Sequence, residues 1–364
     1  MKKKIRICNI VCNLTSGGVE SVLLNYFSHL DSSRYELDLI TYGINSKYCA
    51  ECFEKLGFNI IKVIPKRNNF FKSILEMNAI IKKGRYDIVH AHLTEWNCIP
   101  MFLSWKNNIP IRISHSHMNN VDLSLMKKGL FFVQKIINKC FANKFCACGI
   151  DAAYYLYGTK FVKSNKVIIL NNAIDVKRFL PNKKVRCEIR KNLNIDKDTL
   201  CVGHIGRFTE QKNHKFLIDI FEKLHNKKKN SCLLLIGTGE LEKEIYERVE
   251  KKNLKAFVRF LGVRNDIENI YQAMDVFCLP SLYEGLPVVG IEAQAAQIPT
   301  LVSDSVSNSV KITPFIEMMS LKKNDDSWAE RLLSLHKDLT KKNNNFPHEY
   351  DIEKTAFLWK ELYE

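Results

Sequence analysis

The chain is expected to be an α/β protein with two doubly wound parallel sheets, and three observations lead there. Short apolar runs alternate with amphipathic helical stretches in the first half, at residues 5–11, 36–40, 60–63, 88–90, 112–115, 144–148 and 167–170. The rhythm restarts at residues 200–203, 231–236, 258–261, 275–279 and 300–302. A polar turn cluster, Asn171-Asn172-Ala173-Ile174-Asp175, separates the two series. The length of 364 residues suits two domains of ordinary size, and no internal period of 20–50 residues suggests a solenoid.

Each expected strand is short, apolar and bounded by turn formers, as buried parallel strands are. Between the strands, residues 19–29 and 73–83 carry apolar positions at helical spacing. Residues 183–197 lead into the second domain, and residues 351–363 again show helical spacing. The expected domains are therefore 1–175, 176–347 and a terminal helix at 348–364.

Composition narrows the function. No apolar run approaches the roughly 20 residues that a spanning helix needs, and residues 5–11 are too short and polar-flanked for a signal peptide, so the cytosol is expected. The twelve cysteines do not form a metal framework. Cys49-x-x-Cys52 has no second pair at ligand spacing, Cys146 and Cys148 are too close, and Cys201, Cys232 and Cys278 read as small hydrophobes in strands. The net charge of +16 is uneven: residues 1–180 hold 26 Lys and Arg against 12 Asp and Glu, and the remainder is nearly balanced. Such a surplus suits an anionic partner. No nucleic-acid module is present, so a membrane surface is favoured over nucleic acid.

The segment 125–145 bears on that partner. Met126, Leu130, Val133, Ile137 and Phe141 form an apolar stripe, with Lys128, Lys135 and Lys139 on the other side. One reading is an in-plane membrane helix with a basic face; the simpler and favoured one is a core-packing helix with a solvated lysine face.

The chemistry concentrates in residues 281–299. Glu284 and Glu292 stand eight positions apart across Gly285-Leu286-Pro287. The strand expected before them and the helix expected from about Pro287 place Glu284 on a strand-to-helix loop and Glu292 about a turn and a half into the helix. Ligands of open α/β sheets bind at the carboxyl ends of strands, where helix N-termini attract phosphate. Carboxylates there suit sugar hydroxyls, and the combination points to a nucleotide-sugar site.

With these residues the chain resembles the family 4 glycosyltransferases, a retaining group with the GT-B fold. The resemblance rests on Glu284-x7-Glu292 after Asp275-Val276-Phe277, on Gly17-Gly18, on Gly206-Arg207-Phe208 with Gln211-Lys212-Asn213, and on Leu235-Ile236-Gly237-Thr238-Gly239, all in the family's order. It is nearest to bacterial exopolysaccharide and capsule enzymes. The resemblance implies two Rossmann-like domains facing a cleft, with acceptor bound by the first and nucleotide sugar by the second. It also implies independence of metal, consistent with the lack of a D-x-D motif in a suitable loop, so no metal or cofactor is expected. On the resemblance alone the donor is expected to be a UDP-sugar and the acceptor a saccharide or lipid-linked saccharide at the inner membrane face.

The resemblance assigns roles. Arg207 and Lys212 would bind the donor diphosphate and stabilise the leaving nucleotide. Glu284 would touch the donor sugar and Glu292 the ribose hydroxyls. Backbone N–H groups of Gly285, Leu286 and Val288 would meet sugar or phosphate oxygens, which Pro287 cannot do. Val263 and Arg264 would contact the base through backbone groups, and the Gly237 loop would pass near it. Gly17 and Gly18 leave backbone N–H groups open to phosphate or acceptor. A histidine near a strand end of the first domain would contact the donor sugar: His117 is favoured over His115, with His90 and His92 as competitors. Gln297 stands where the family usually has glycine before Ile298-Pro299, and Ser309 where it has an acid. A GT-B epimerase and a non-catalytic partner subunit of a glycosyltransferase complex are the rival readings; the joint presence of Arg207, Lys212, Glu284 and Glu292 argues for transfer.

Overall fold

The computed structural model describes residues 4–15, 17–118, 125–339 and 345–364. It divides into two compact units, residues 1–173 with 349–364, and residues 174–348.

The first unit carries β1 (Ile5–Ile10), β2 (Asn13–Leu14), β3 (Tyr35–Thr41), β4 (Gly43–Ile44), β5 (Phe58–Lys62), β6 (Ile88–Ala91), β7 (Ile111–Ser116), β8 (Lys144–Ala147) and β9 (Val167–Ile169). Seven of these form one parallel sheet in the order β5-β3-β1-β6-β7-β8-β9. Strands covered on both faces need apolar residues throughout, and β6 is buried at all four positions. The sheet turns back on itself between β1 and β6, the position at which doubly wound sheets open a crevice. β2 and β4 pair in a separate two-residue ladder that the sequence pattern did not anticipate.

The helix Ile352–Tyr363 belongs to this unit. It buries Trp359 completely, with the indole 4.4 Å from the Tyr26 ring and 5.3 Å from His90. A buried indole removes roughly 150–250 Å² from water, an upper figure of about 4–6 kcal/mol. That is enough to hold the chain's last helix on the sheet.

The helix Leu125–Phe141 bears out the helical spacing of residues 125–145 but not the face expected to pack inward. It stops at Phe141, and β8 begins three residues later, with Phe145 in the strand expected over 144–148. Its stripe is turned aside from the core: Leu130 and Val133 are exposed, while Ile137 and Phe141 are half-buried. The fully buried positions are polar, Gln134 and Asn138, and Asn138 shares hydrogen bonds with Ser114 Oγ and the Glu95 carbonyl. Leu130 (52% exposed), Phe132 (65%), Val133 (50%) and Ile136 (43%) face outward instead. Lys135 lies over the Phe131 ring at 4.2 Å and Lys139 near Phe161 at 5.9 Å, rather than on a separate solvated face. The Met126 side chain lies outside the described residues.

The second unit carries β10 (Leu200–Ile205), β11 (Ser231–Ile236), β12 (Val258–Phe260), β13 (Val276–Leu279), β14 (Thr300–Ser303) and β15 (Ile316–Met319), all parallel, in the order β12-β11-β10-β13-β14-β15. β15 was not expected from the sequence. Leu233, Leu235, Phe221, Leu301 and Trp328 centre the core. Asp275, at the foot of β13, receives Arg186 at 2.6 Å and the buried Arg190 at 3.2 Å, which ties the helix Lys183–Asn192 to the sheet. The switch point falls between β10 and β13.

The helix Val288–Ala295 ends as a glycine-type cap made without glycine. Gln297 N–H donates to Gln294 O and Ile298 N–H to Ala293 O, the paired bonds of a Schellman motif. That motif needs a left-handed residue, and Gln297 takes φ +57. A side chain there costs about 1 kcal/mol relative to the conformation glycine adopts freely. Gln297→Gly is therefore expected to raise the melting temperature by about 2–4 °C. An unchanged or lower value in a calorimetric scan would show that the glutamine side chain stabilises the cap.

Candidate active site

The two loops that leave the β10/β13 switch point are fastened to each other. After β10 the chain runs through Gly206-Arg207-Phe208 and the turn Glu210–Lys212 into the helix His214–Lys227. After β13 it runs through residues 280–287 into the helix Val288–Ala295. Gln211 donates its amide N–H to Tyr283 O (3.0 Å), Asn213 donates to Pro280 O (3.1 Å), and Leu282 N–H donates to Gln211 O (2.8 Å). Between these straps Lys212 Nζ donates to Glu284 Oε1 at 2.6 Å, with only 16% and 10% of the two side chains exposed. Removing either partner of such a pair leaves a largely desolvated charge alone.

Glycine makes the lysine's path possible. A Cβ on Gly206 would stand 3.1 Å from Lys212 Cδ, and a Cβ on Gly237, at φ +130, would stand 2.2 Å from Gly206 O. The loop after β11 thus lies backbone on backbone against the loop after β10. Arg207 is exposed and meets no carboxylate among the described residues. Val263 is 47% exposed, while the Arg264 guanidinium is bound to both Asp266 oxygens at 2.8 and 2.7 Å. Leu286 and Val288 are buried, and the Val288–Ala295 helix has no side-chain cap. Its first amides are therefore left without a side-chain acceptor, at the positive end of the helix.

Glu292 enters from the same helix. Its Oε2 lies 3.0 Å from the Tyr271 hydroxyl, which is also 2.9 Å from Val289 O. Burial pushes the Glu292 carboxyl up to about 7, opposed by the Tyr271 hydroxyl and by Arg178, and reinforced by Glu268. Arg178 in turn holds Glu268 at 2.8 Å. Tyr271, Arg178 and Glu268 come from two other helices and had no sequence signal that tied them to Glu292.

In the first unit the histidines form an array at the ends of β6 and β7. The His90 and His92 rings lie tilted at 4.0 Å, and His115 and His117 stack at 4.1 Å. His90 Nε2 meets His115 Nδ1 at 3.2 Å, and His92 Nδ1 meets His117 Nε2 at 2.9 Å. Burial drives all four pKa values down, to about 3 for His117, so the array is neutral. His92 Nε2 faces Asn9 Oδ1 at 3.2 Å. With that carbonyl as acceptor, His92 carries its hydrogen on Nε2 and accepts from His117 Nε2–H. His117 is left with a bare Nδ1 lone pair, and it is the one half-buried member while the others are buried. His90, His92 and His115 each bring a nitrogen within 4.8 Å of the others. Tetrahedral zinc would want about 3.3 Å between nitrogens, and the facing nitrogens already hydrogen-bond one another, so the array fits a hydrogen-bond chain better than a zinc site.

Gly17 departs from expectation. Its N–H donates to Glu20 Oε2 at 3.0 Å, with Glu20 only 6% exposed. The amide is committed to the carboxylate that closes the helix Gly18–Phe27, and a Cβ on Gly17 would meet Glu20 Oε2 at 2.9 Å. Gly17 therefore serves the carboxylate cap rather than an anion, and Gly18 begins the helix.

The profile of the Glycosyltransferase Family 4 matches residues 16–178, and that of the Glycosyl transferases group 1 matches residues 185–349. EpsF of Bacillus subtilis (strain 168), named a glycosyltransferase, is 32% identical over 336 residues, covering 90% of this chain and 86% of its own. The chain belongs to the group 1, family 4 glycosyltransferases. The Escherichia coli UDP-Gal:alpha-D-GlcNAc-diphosphoundecaprenol alpha-1,3-galactosyltransferase is 26% identical over 99% of this chain and 97% of its own. Among solved structures, Anabaena Alr3699/HepE in complex with UDP-glucose superposes with a TM-score of 0.74 at 16% identity, over 99% of this chain and 96% of that one. The glycosyltransferase thus has the GT-B fold, with one parallel α/β sheet in each unit.

The Glu292 environment has a measurable consequence for this glycosyltransferase. A carboxyl with a folded value near 7 and an ordinary value of 4.5 binds its proton more tightly in the folded state. Folding stability is therefore lost as pH rises through that window, and the loss is complete above about 7. Glu292→Gln removes this cost. Its melting temperature relative to the wild type is expected to be higher at pH 8 than at pH 5; an equal offset at both pH values would show that Glu292 ionises freely in the folded protein.

Proposed function

We propose that this glycosyltransferase moves a sugar from a UDP-sugar to a lipid-linked saccharide during surface-polysaccharide assembly, with retention of configuration and without a metal ion. The observation that carries this reading is the Lys212–Glu284 pair, strapped beside the uncapped N-terminus of helix Val288–Ala295. A cation, free helix amides and a buried carboxylate at one switch point suit a diphosphate joined to a sugar. Arg207 and Lys212 hold the diphosphate, Glu284 accepts from the donor sugar's hydroxyls, and Glu292 accepts from the ribose. The amides of Gly285, Leu286 and Val288 meet sugar or phosphate oxygens, with Val263 and the Arg264 backbone beside the base. The second unit is the donor domain and the first the acceptor domain, with His117 Nδ1 accepting from a sugar hydroxyl.

In the reaction the bond between the anomeric carbon and the diphosphate oxygen breaks, and the acceptor oxygen bonds to that carbon on the same face. The acceptor's proton passes to the departing phosphate oxygen, so no separate base is required. Arg207 and Lys212 stabilise the negative charge that develops on the leaving group. The relative from Escherichia coli supports the choice of substrates, since its name gives a UDP-Gal donor and a diphosphoundecaprenol-linked acceptor.

The acceptor class suits a protein working at the cytoplasmic face of a membrane. The exposed Leu130, Phe132, Val133 and Ile136, with Phe102 (40% exposed) and Trp105 (50%) on the neighbouring helix Cys98–Lys106, form an apolar face in the basic half of the chain. No helix among the described residues is long and apolar enough to cross a membrane, so attachment would be peripheral.

Calorimetric titration with UDP-sugars, UDP and GDP, with and without EDTA, tests the reading. UDP and a UDP-sugar are expected to bind regardless of EDTA, and Lys212→Ala to weaken them by at least about tenfold. Ribose hydroxyls need an ionised acceptor at Glu292, so UDP-sugar affinity should rise on the order of tenfold from pH 6 to pH 8. The donor's diphosphate diester stays ionised throughout, and Glu292→Gln should flatten the profile. No binding of any nucleotide would overturn the donor site and favour a non-catalytic partner subunit.

A further inference from the structure

Lys66 is a cation in an unusual setting. It follows β5, on the carboxyl-end edge of the first sheet, and its Nζ lies 3.9 Å from the centre of the Trp96 ring and 5.4 Å from that of Tyr42. The rings come from the segments after β6 and β3, at that same edge. Aromatic faces stabilise an ammonium but accept none of its three N–H groups in a full hydrogen bond. Among the described residues Lys66 makes neither an ion pair nor a hydrogen bond. Burial pushes its pKa down to about 8, only partly opposed by Cys12, Glu95 and Cys98, so the ammonium is partly stripped of water. Glu95 stands nearby but does not pair with it, and burial pushes its carboxyl up from the ordinary value, which weakens its claim on the lysine.

An apolar row leads away from this cation. Phe70 opens the helix Phe70–Gly84 and lies 6.3 Å from Trp96 and 5.8 Å from Phe71. The helix turns Ser73, Met77 and Ile81 into the core. Phe71 (77% exposed) and Leu75 (67%), four residues apart, stand on the opposite side. A donor-rich cation at one end and an exposed hydrocarbon strip from it match a molecule with an anionic head and a long apolar tail.

We propose that Lys66, framed by Trp96 and Tyr42, binds the phosphate or diphosphate of a prenyl-type lipid carrier whose chain lies along Phe70, Phe71 and Leu75. The inference rests on the lipid-linked acceptor reading and deepens it, by giving the acceptor's head group and tail a place. This strip lies on a different helix from the apolar face of Leu125–Phe141, and the cation at its end suits a phosphorylated lipid over a plain bilayer surface.

Farnesyl diphosphate, a short soluble prenyl diphosphate, serves as the probe, with the full chain held at saturating UDP to occupy the donor diphosphate site. It is expected to bind at least tenfold more tightly than inorganic diphosphate. Lys66→Gln should weaken it by at least about tenfold, while Lys66→Arg retains most of the affinity. A Phe71→Ser, Leu75→Ser protein should lose affinity for farnesyl diphosphate but not for inorganic diphosphate. UDP affinity and melting temperature, unchanged in these variants, would show that the fold is intact. Binding to phosphatidylglycerol vesicles should be the same in Lys66→Gln as in the wild type. Equal farnesyl diphosphate affinity in wild type and Lys66→Gln, or a parallel loss of plain-vesicle binding, would overturn the proposal. Failure of the wild type to bind UDP would count against the donor reading alone; the dependence of farnesyl diphosphate binding on Lys66 would still decide this one.

Discussion

The contact between Lys212 and Glu284 is the constraint around which the switch point of the second unit is arranged. Two oppositely charged groups, each about nine-tenths or five-sixths withdrawn from water, are held 2.6 Å apart on loops that are 72 positions apart in sequence. Coulomb attraction alone would not place them, because loops that free would lose more entropy than one ion pair returns. The placement comes from the amide straps on either side, from Asn213 at φ +55, and from glycines that let one backbone lie on another. The lysine is thus presented without conformational search, and a ligand phosphate has only to displace or share one carboxylate oxygen.

The first unit applies the same topology to opposite electrostatics. At its own switch point the strands end in neutral, stacked histidines rather than charges. Burial keeps them neutral, Trp359 covers His90, His92 and His115, and Tyr363 on the same helix binds His90 at 3.0 Å. The terminal helix therefore does more than close the core, because it covers these three histidines from water.

Much of this was legible in the sequence, and the exceptions have physical causes. All twelve expected strands exist, because a strand buried on both faces must be apolar throughout and so declares itself locally. β15 was missed because Ile316–Met319 contains a glutamate and lies at the sheet edge, where alternation relaxes. The face of helix Leu125–Phe141 was misjudged for a related reason: periodicity finds an apolar stripe but not which side the protein turns inward, and here Gln134 and Asn138 hold the inner side through hydrogen bonds. Glu284 and Lys212 each stood out by spacing, yet their pairing did not, since the straps join distant loops. Tyr271, Arg178 and Glu268 gave no signal at all, because what they do to Glu292 depends only on packing. Gly17 looked like an open anion site until Glu20, three residues on, proved to occupy its amide.

The central claim is that Lys212 and Glu284 act as one unit at the diphosphate site, and a double-mutant cycle on UDP binding tests it most directly. UDP carries the diphosphate but no donor sugar, so Glu284 enters only through its effect on Lys212. The account predicts that Lys212→Ala costs more affinity when Glu284 is intact than in the Glu284→Gln background, because only then is a bare carboxylate left facing the phosphates. The coupling should be at least about 1 kcal/mol. Losses that add to within about 0.5 kcal/mol would contradict it, and would mean that the two residues meet in the free protein without sharing a role in binding.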